Sequence, residues 1–185
     1  GRLSVGTKSP LTKGIKESNA GGSAAQKLAR LEIQAVIIEG CAKKLTSIKI
    51  DRNGVSFIEA GDIKGMGNYQ VIETLRKEQG DKVSIISIGQ AGEMKLNAAC
   101  VSVTSPDFRI RVAGRGGTGA VMGSKQLKAI VIDDNKASGV KVVDKKRLKI
   151  AVSSIVQGIT SHPMTDAFKT LGTPLLINLI GEGLG

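Results

Sequence analysis

Aromatic side chains are scarce: across 185 residues there is no tryptophan, one tyrosine (Tyr69) and three phenylalanines. Proteins that hold single-stranded nucleic acid stack bases on aromatic platforms, so a net charge of +11 does not by itself make this chain a nucleic-acid binder. Much of that charge is scattered lysine on a solvated surface, and its densest cluster is Lys145-Lys146-Arg147. Cysteine is scarce too. Cys41 and Cys100 stand far apart without a CxxC pair, which leaves no zinc or iron–sulfur motif and leads us to expect two buried thiols in a reducing, cytoplasmic setting. The single histidine, His162, precedes Pro163 in a loop, where a surface role outweighs a catalytic one. No apolar run reaches the roughly 18 residues of a membrane-spanning helix, and no signal-peptide pattern is present. The phosphate loop GxxxxGK[ST] is missing, since "MGSK" places serine before lysine.

What remains is 41% hydrophobic, almost all aliphatic, enough for one core and the start of another. The opening glycine and the half-complete pattern "LLINLIGEGLG" lead us to expect a piece of a longer polypeptide. Leu3 and Val5 mark a short strand that turns at Ser9-Pro10, and "ESNAGG" has the composition of a loop. "SAAQKLARLEI" is helical with Ser23 as N-cap, and "AVIIEG" has the composition of a buried strand. "LTSIKIDRNGVSFIEA" alternates as a hairpin turning at Asn53-Gly54. "NYQVIETLRKEQGDK" is an amphipathic helix stopped by Gly80, followed by strand "VSIISIG", turn "GQAGE" and strands "LNAACVSV", "FRIRVA" and "LKAIVID". Beyond Asp144, Leu148, Ala151, Val152, Ile155 and Ile159 fall at helical spacing, and Thr173-Pro174 has the form of N-cap and N1 of a further helix. The expected organisation is an α+β domain over 1–143, lacking its first part, and the beginning of a helical domain over 144–185.

Between "FRIRVA" and "LKAIVID" lies "RVAGRGGTGAVMGSK", with five glycines. Gly114-x-Gly116-x-x-Gly119 fits a dinucleotide fingerprint, with Asp133 or Asp134 about where a ribose-binding acid would stand. Whatever the ligand, amides bared by glycine and flanked by Arg111, Arg115 and Lys125 form an anion site suited to phosphate. The order of glycine pair, helix, apolar strand and acid also occurs in "AGGSAAQKLARLEIQAVIIEG", which points to an internal duplication with two loops facing one centre. Asp133, Asp134 and Glu39 fall at expected strand ends.

Four blocks in order, "GRLSVGTKSPLTKGIKESNAGG", "AVIIEG", "VSIISIGQAGE" and "RVAGRGGTGAVMGSKQLKAIVI", resemble the N-terminal region of tungsten-containing aldehyde:ferredoxin oxidoreductases. The resemblance implies a pseudo-twofold β-sheet base with flanking helices, carrying two molybdopterin-type pterins whose dithiolene sulfurs hold one tungsten. It implies a magnesium bridging the pterin phosphates, and a 4Fe-4S cluster carried by helical domains that follow. By motif, Arg2, Asn19 and Gly21, with Arg111, Val112, Ala113, Gly114 and Arg115, occupy pterin-contacting positions. The Asn19 amide oxygen and the Val112 carbonyl are then magnesium ligands. No residue of this chain is matched to a catalytic position, so the piece alone is expected to be inactive.

The implied reaction is oxidation of an aldehyde to a carboxylic acid, with electrons passing to ferredoxin or another electron-transfer protein. A homodimer is the assembly considered. Ser23-Ala24-Ala25, Lys64-Gly65, Val112 and "TSPDF" depart from the family's usual residues and put the substrate in doubt, leaving aromatic acyl-CoA thioester reduction as an alternative beside an NAD-binding domain.

Overall fold

Runs of β-branched residues form the strands of one mixed sheet. The computed structural model describes residues 1–183. The chain divides into two compact units, one ending at Val140 and the other beginning at Lys141. The first contains β1 (Leu3–Lys8), β2 (Ile15–Ala20), α1 (Ala24–Arg30), β3 (Thr46–Asp51), β4 (Gly54–Glu59), α2 (Asn68–Gln79), β5 (Ser84–Ser87), α3 (Gln90–Glu93), β6 (Val101–Thr104), β7 (Ile110–Ala113), α4 (Thr118–Ser124) and β8 (Leu127–Ile132). β1 and β2 form a separate antiparallel ribbon, and the other six strands lie in the order β4-β3-β8-β5-β6-β7. Only β3 and β8 run parallel; the remaining pairs are antiparallel. The fold is α+β, a six-stranded sheet with flanking helices.

β8 lies near the middle of the sheet with all six residues buried, as a continuous apolar run requires. One sheet face packs Ile48, Ile50, Ile86, Ile130 and Ile132 beneath Ala20 and α1. The other packs Ile85, Ala129 and Val131 against Val71, Ile72 and Leu75 of α2. Lys128 is the exception within β8. The β3–β8 register skips it, placing Leu127 opposite Thr46 and Ala129 opposite Ser47. Such a bulge re-aims a side chain, and the fully buried Lys128 ammonium reaches the Glu93 carboxylate and the Met66 carbonyl, the latter at 2.9 Å.

Several local expectations are corrected. Glu17 to Ala20 are extended, because β2 pairs residue by residue with β1; only the glycine pair is loop. "AVIIEG" forms no strand: Ala35–Gly40 has no regular structure, and Ile37 is 84% exposed. The "GQAGE" turn is the short helix α3, and the strand in "LNAACVSV" begins only at Val101. Pairing of Asp51 with Gly54 puts Arg52 and Asn53 at the hairpin tip, one residue earlier than expected. Ser23 occupies the N-cap position of α1 but does not cap it; its hydroxyl donates to the Thr104 carbonyl at 3.0 Å and to Ser84 Oγ at 3.0 Å. Neither thiol is buried, Cys41 being exposed and Cys100 half-buried.

The second unit contains α5 (Lys145–Thr160), α6 (Pro163–Leu171), a 3-10 turn (Thr173–Leu175) and α7 (Leu176–Gly183). The Asp144 carboxylate caps α5 by accepting the Arg147 amide at 2.9 Å. His162 Nδ1 accepts the Met164 amide at 3.2 Å, so the lone histidine is the cap of α6. Gly172, rather than Thr173, is the N-cap of the 3-10 turn that leads into α7.

Candidate functional site

β7 is the outer strand of the sheet, and β2 lies alongside its end. The link is direct: Ser18, buried on the inward face of β2, accepts the Arg115 backbone N–H at 3.0 Å. Leu3 pairs with Ala20, so Arg2 and Gly21 are neighbours at the end of the ribbon. Gly22 sits against the Thr104 carbonyl and the Val103 side chain, and Val103 is the register partner of Arg111. The Ser23 amide donates to the same Thr104 carbonyl at 2.9 Å. Both glycine loops therefore open onto one seam, between β2 and β7. Gly21, Arg111, Gly114 and Arg115 border it, all exposed, and the exposed Arg2 lies beside Gly21 at the ribbon end, where it also lines a cleft on the β1 side.

The seam is cationic. Among the described residues no carboxylate pairs with Arg2, Arg111 or Arg115. The Lys16 side chain crosses Gly116. Val112 is 47% exposed, whereas Ala113 is fully buried. Asn19 faces outward beside Ser4, its register partner. Its Nδ2 donates to Glu17 Oε1 at 3.0 Å and the Ser4 hydroxyl donates to the same oxygen at 2.8 Å. These bonds, Ser4's first, hold the Glu17 carboxyl below its ordinary pKa. The Asn19 amide oxygen accepts no hydrogen bond from the described residues.

Four of the five glycines divide into two kinds. A Cβ on Gly117 would come 2.1 Å from the Asn97 carbonyl oxygen, on Gly119 2.3 Å from that of Cys100, and on Gly123 1.8 Å from that of Gly92. Gly117 also has φ +68. The Gly119 amide is already bonded to the Ala99 carbonyl at 2.9 Å. These glycines let α4 lie on α3 and on the turn before β6, and they do not face a ligand. Gly114 is different: a Cβ there would meet only Val112 Cγ1 at 3.7 Å, and one on Gly21 would meet nothing within 4 Å. The anion-facing surface is narrower than the glycine count implies.

The dinucleotide reading is overturned. It needs a parallel strand–helix–strand unit, but β5 and β6 lie between β8 and β7, and three successive antiparallel pairings make β7 and β8 run in opposite directions. Asp134, the candidate ribose-binding acid, instead pairs with Lys27 and with Arg30, the latter at 2.9 Å. Sequence reasoning missed Ser18, Lys128 and Glu93. The alternation that turns Ser18 inward with Ala20 becomes visible only once β2 is known to be a strand.

The family described as "Aldehyde ferredoxin oxidoreductase, N-terminal domain" matches residues 1–134. The chain belongs to this family. A tungsten-containing aldehyde ferredoxin oxidoreductase of Pyrococcus furiosus is 38% identical over 184 residues, 98% of this chain and 29% of that protein. The aliphatic sulfonate oxidoreductase WOR-like subunit of the same organism is 30% identical over 164 residues, covering 80% of this chain and 25% of its own length. Among solved structures, the active site complex BamBC of benzoyl coenzyme A reductase, in complex with 1,5 dienoyl-CoA, matches with a TM-score of 0.75 at 29% identity. That match covers 86% of this chain and 24% of the solved one. The aldehyde ferredoxin oxidoreductase domain is thus present here in a chain spanning less than a third of the length of the curated relatives it matches.

Proposed function

We propose that the β2–β7 seam holds the phosphate groups of a tungsten–pterin cofactor in an oxidoreductase that converts aldehydes to carboxylic acids. The observation that supports this reading is that Arg111 and Arg115, neither paired with a carboxylate among the described residues, flank the open Gly114, with Arg2 and the open Gly21 at the adjoining ribbon end. Guanidinium forks match phosphate oxygens, and an exposed glycine amide lets the backbone approach them. Among the described residues no three His, Cys, Asp or Glu come together around a metal; on this reading the metal arrives with the cofactor's own donor atoms. When bound, such a group supplies the redox and Lewis-acid chemistry.

The chain's own part is positional. Arg2, Arg111 and Arg115 neutralise and orient phosphate, Gly21 and Gly114 give it access, and Ser18 fixes the Arg115 backbone. The Asn19 amide oxygen and the Val112 carbonyl are the proposed magnesium ligands, oxygen donors of the kind that ion prefers. The net reaction takes an aldehyde and water to a carboxylic acid, two protons and two electrons. Ferredoxin or another electron carrier is the proposed acceptor, reached through a 4Fe-4S cluster on polypeptide outside this chain. A cytoplasmic homodimer completes the proposal. Among the described residues no helix is long and apolar enough to cross a membrane.

A second reading, reduction of an aromatic acyl-CoA thioester on the same cofactor platform, is favoured by the match to the benzoyl coenzyme A reductase complex. Assaying the full-length enzyme with an aliphatic aldehyde and with benzoyl-CoA separates the two. For the seam itself, Arg111→Ala in the full-length protein should weaken pterin binding at least about tenfold, the cost of about 1.4 kcal/mol or more for one charge-assisted contact, and so lower bound pterin and tungsten. Circular dichroism should remain unchanged. Undiminished pterin and tungsten would refute the assignment of Arg111.

A further inference from the structure

Ser4, Glu17 and Asn19 form a hydrogen-bonded chain on the outward face of the β1–β2 ribbon. The alternation of an extended strand sends Ser18 and Ala20 of β2 inward and Glu17 and Asn19 outward. On β1, Gly6 stands opposite Glu17 and Ser4 opposite Asn19. Glycine gives Glu17 no cross-strand side chain to pair with, and even a Cβ on Gly6 would meet nothing within 4 Å. The carboxylate reaches along the strand instead. Its Oε1 accepts two hydrogen bonds, from the Ser4 hydroxyl at 2.8 Å and from Asn19 Nδ2 at 3.0 Å.

This chain decides which way the Asn19 amide faces. A carboxylate only accepts, so the amide atom turned toward Glu17 has to be the nitrogen. The oxygen, Asn19 Oδ1, is thereby turned away from Glu17, and it accepts no hydrogen bond from the described residues. The torsion that turns a terminal amide is soft and roughly two-fold. Without an acceptor at Glu17 the group would present nitrogen and oxygen in turn, and only the oxygen can ligate a hard cation. Ser4 stands to Glu17 as Glu17 stands to Asn19: its hydroxyl fixes the carboxylate oxygen that does the accepting.

We propose that Glu17 is a positioning residue for the cation at Asn19, locking the amide so that Oδ1 and not Nδ2 is presented to the ion. The proposal rests on the reading of Asn19 as a magnesium ligand. Glu17 need not touch the metal to act in this way. A group that orients a metal ligand from behind is commonly worth about 10–100-fold in metal affinity. β2 then serves the seam from both faces, since Ser18 fixes the Arg115 backbone on the inward side and Glu17 fixes the Asn19 amide on the outward side.

The test uses the full-length, pterin-loaded protein, stripped of magnesium by a chelator and then equilibrated against graded Mg²⁺, with bound magnesium counted per pterin by atomic emission. Glu17→Ala should weaken magnesium binding about tenfold or more. Because Glu17 is exposed, its Tm should stay within about 1 °C. Glu17→Gln should bind magnesium within about threefold of the unsubstituted protein, since its amide oxygen still accepts from Asn19 Nδ2. Equal losses in the two variants would overturn the positioning role, because charge alone would then account for them. A fall in Tm matching the loss of magnesium in Glu17→Ala would also overturn it, leaving Glu17 a stabiliser of the ribbon. Asn19→Ala, which removes the ligand itself, separates this inference from the reading beneath it. Magnesium lost in Asn19→Ala but kept in Glu17→Ala would sink the role of Glu17 and leave the ligand standing. Magnesium kept in Asn19→Ala would sink both.

Discussion

Gly114 and Gly119 are five residues apart in one glycine-rich run, yet substitution should separate them. A Cβ on Gly119 would collide with the Cys100 backbone, which cannot swing aside as a flexible side chain can. Gly119→Ala should therefore lower stability by about 2–3 kcal/mol, a fall of several degrees in Tm by differential scanning fluorimetry. Gly114→Ala meets only a methyl of Val112 at ordinary contact distance. Its Tm should stay within about 1 °C, while bound pterin in the full-length protein falls.

Asp134 makes a pH-dependent contribution. Burial raises the carboxyl's pKa, but the hydrogen bonds from Lys27 and Arg30 outweigh it and leave the carboxyl below its ordinary value. The native state thus binds this proton less readily than the unfolded chain. The stabilisation is complete above the unfolded pKa of about 3.9 and is lost as pH falls through the lower folded value. Asp134→Asn should cost about 1–3 kcal/mol at neutral pH and flatten the acid limb of a stability–pH curve below about pH 4. An unchanged acid limb would show that the pair contributes nothing.

Elements were legible where composition and pairing agree. The hairpin of β3 and β4 alternates and is found with its turn one residue early, and β8, apolar but for Lys128, is found where its pattern puts it. β2 was illegible because "KESNA" has no apolar alternation; it is extended only because β1 supplies its hydrogen bonds. The segment "AVIIEG" errs the other way, having a strand's composition without a strand's neighbours in the described residues. At the seam, glycine and arginine were visible as types, but close packing of three glycines and the inward Ser18 depend on partners far away in sequence.

The Lys128 bulge is also a matter of elements, because it fastens β8 to α3 and to the loop before α2. Glu93 accepts from the Gly65 amide, at 2.9 Å to Oε2, as well as from Lys128, and Gln90 Nε2 donates to the Gly65 carbonyl at 2.8 Å. Glu93→Gln would leave a buried ammonium without its counter-charge and should cost about 3–5 kcal/mol. The double variant Glu93→Gln/Lys128→Met should recover part of that loss in urea denaturation, since the uncompensated charge is gone.

For the whole molecule, the position of β8 has a consequence in time. It lies between β3 and β5, parallel to the first and antiparallel to the second, yet among the sheet's strands it is last in the sequence. A nascent chain emerging from the ribosome can close the β3–β4 hairpin and the β5–β6–β7 meander on its own. The two pieces have no strand between them to join until β8 clears the exit tunnel. Long-range pairing of this kind is slow and leaves sticky edges unprotected meanwhile. Stalled chains ending before Leu127 should accordingly be captured by holding chaperones, and chains released a few residues beyond Ile132 should be captured much less.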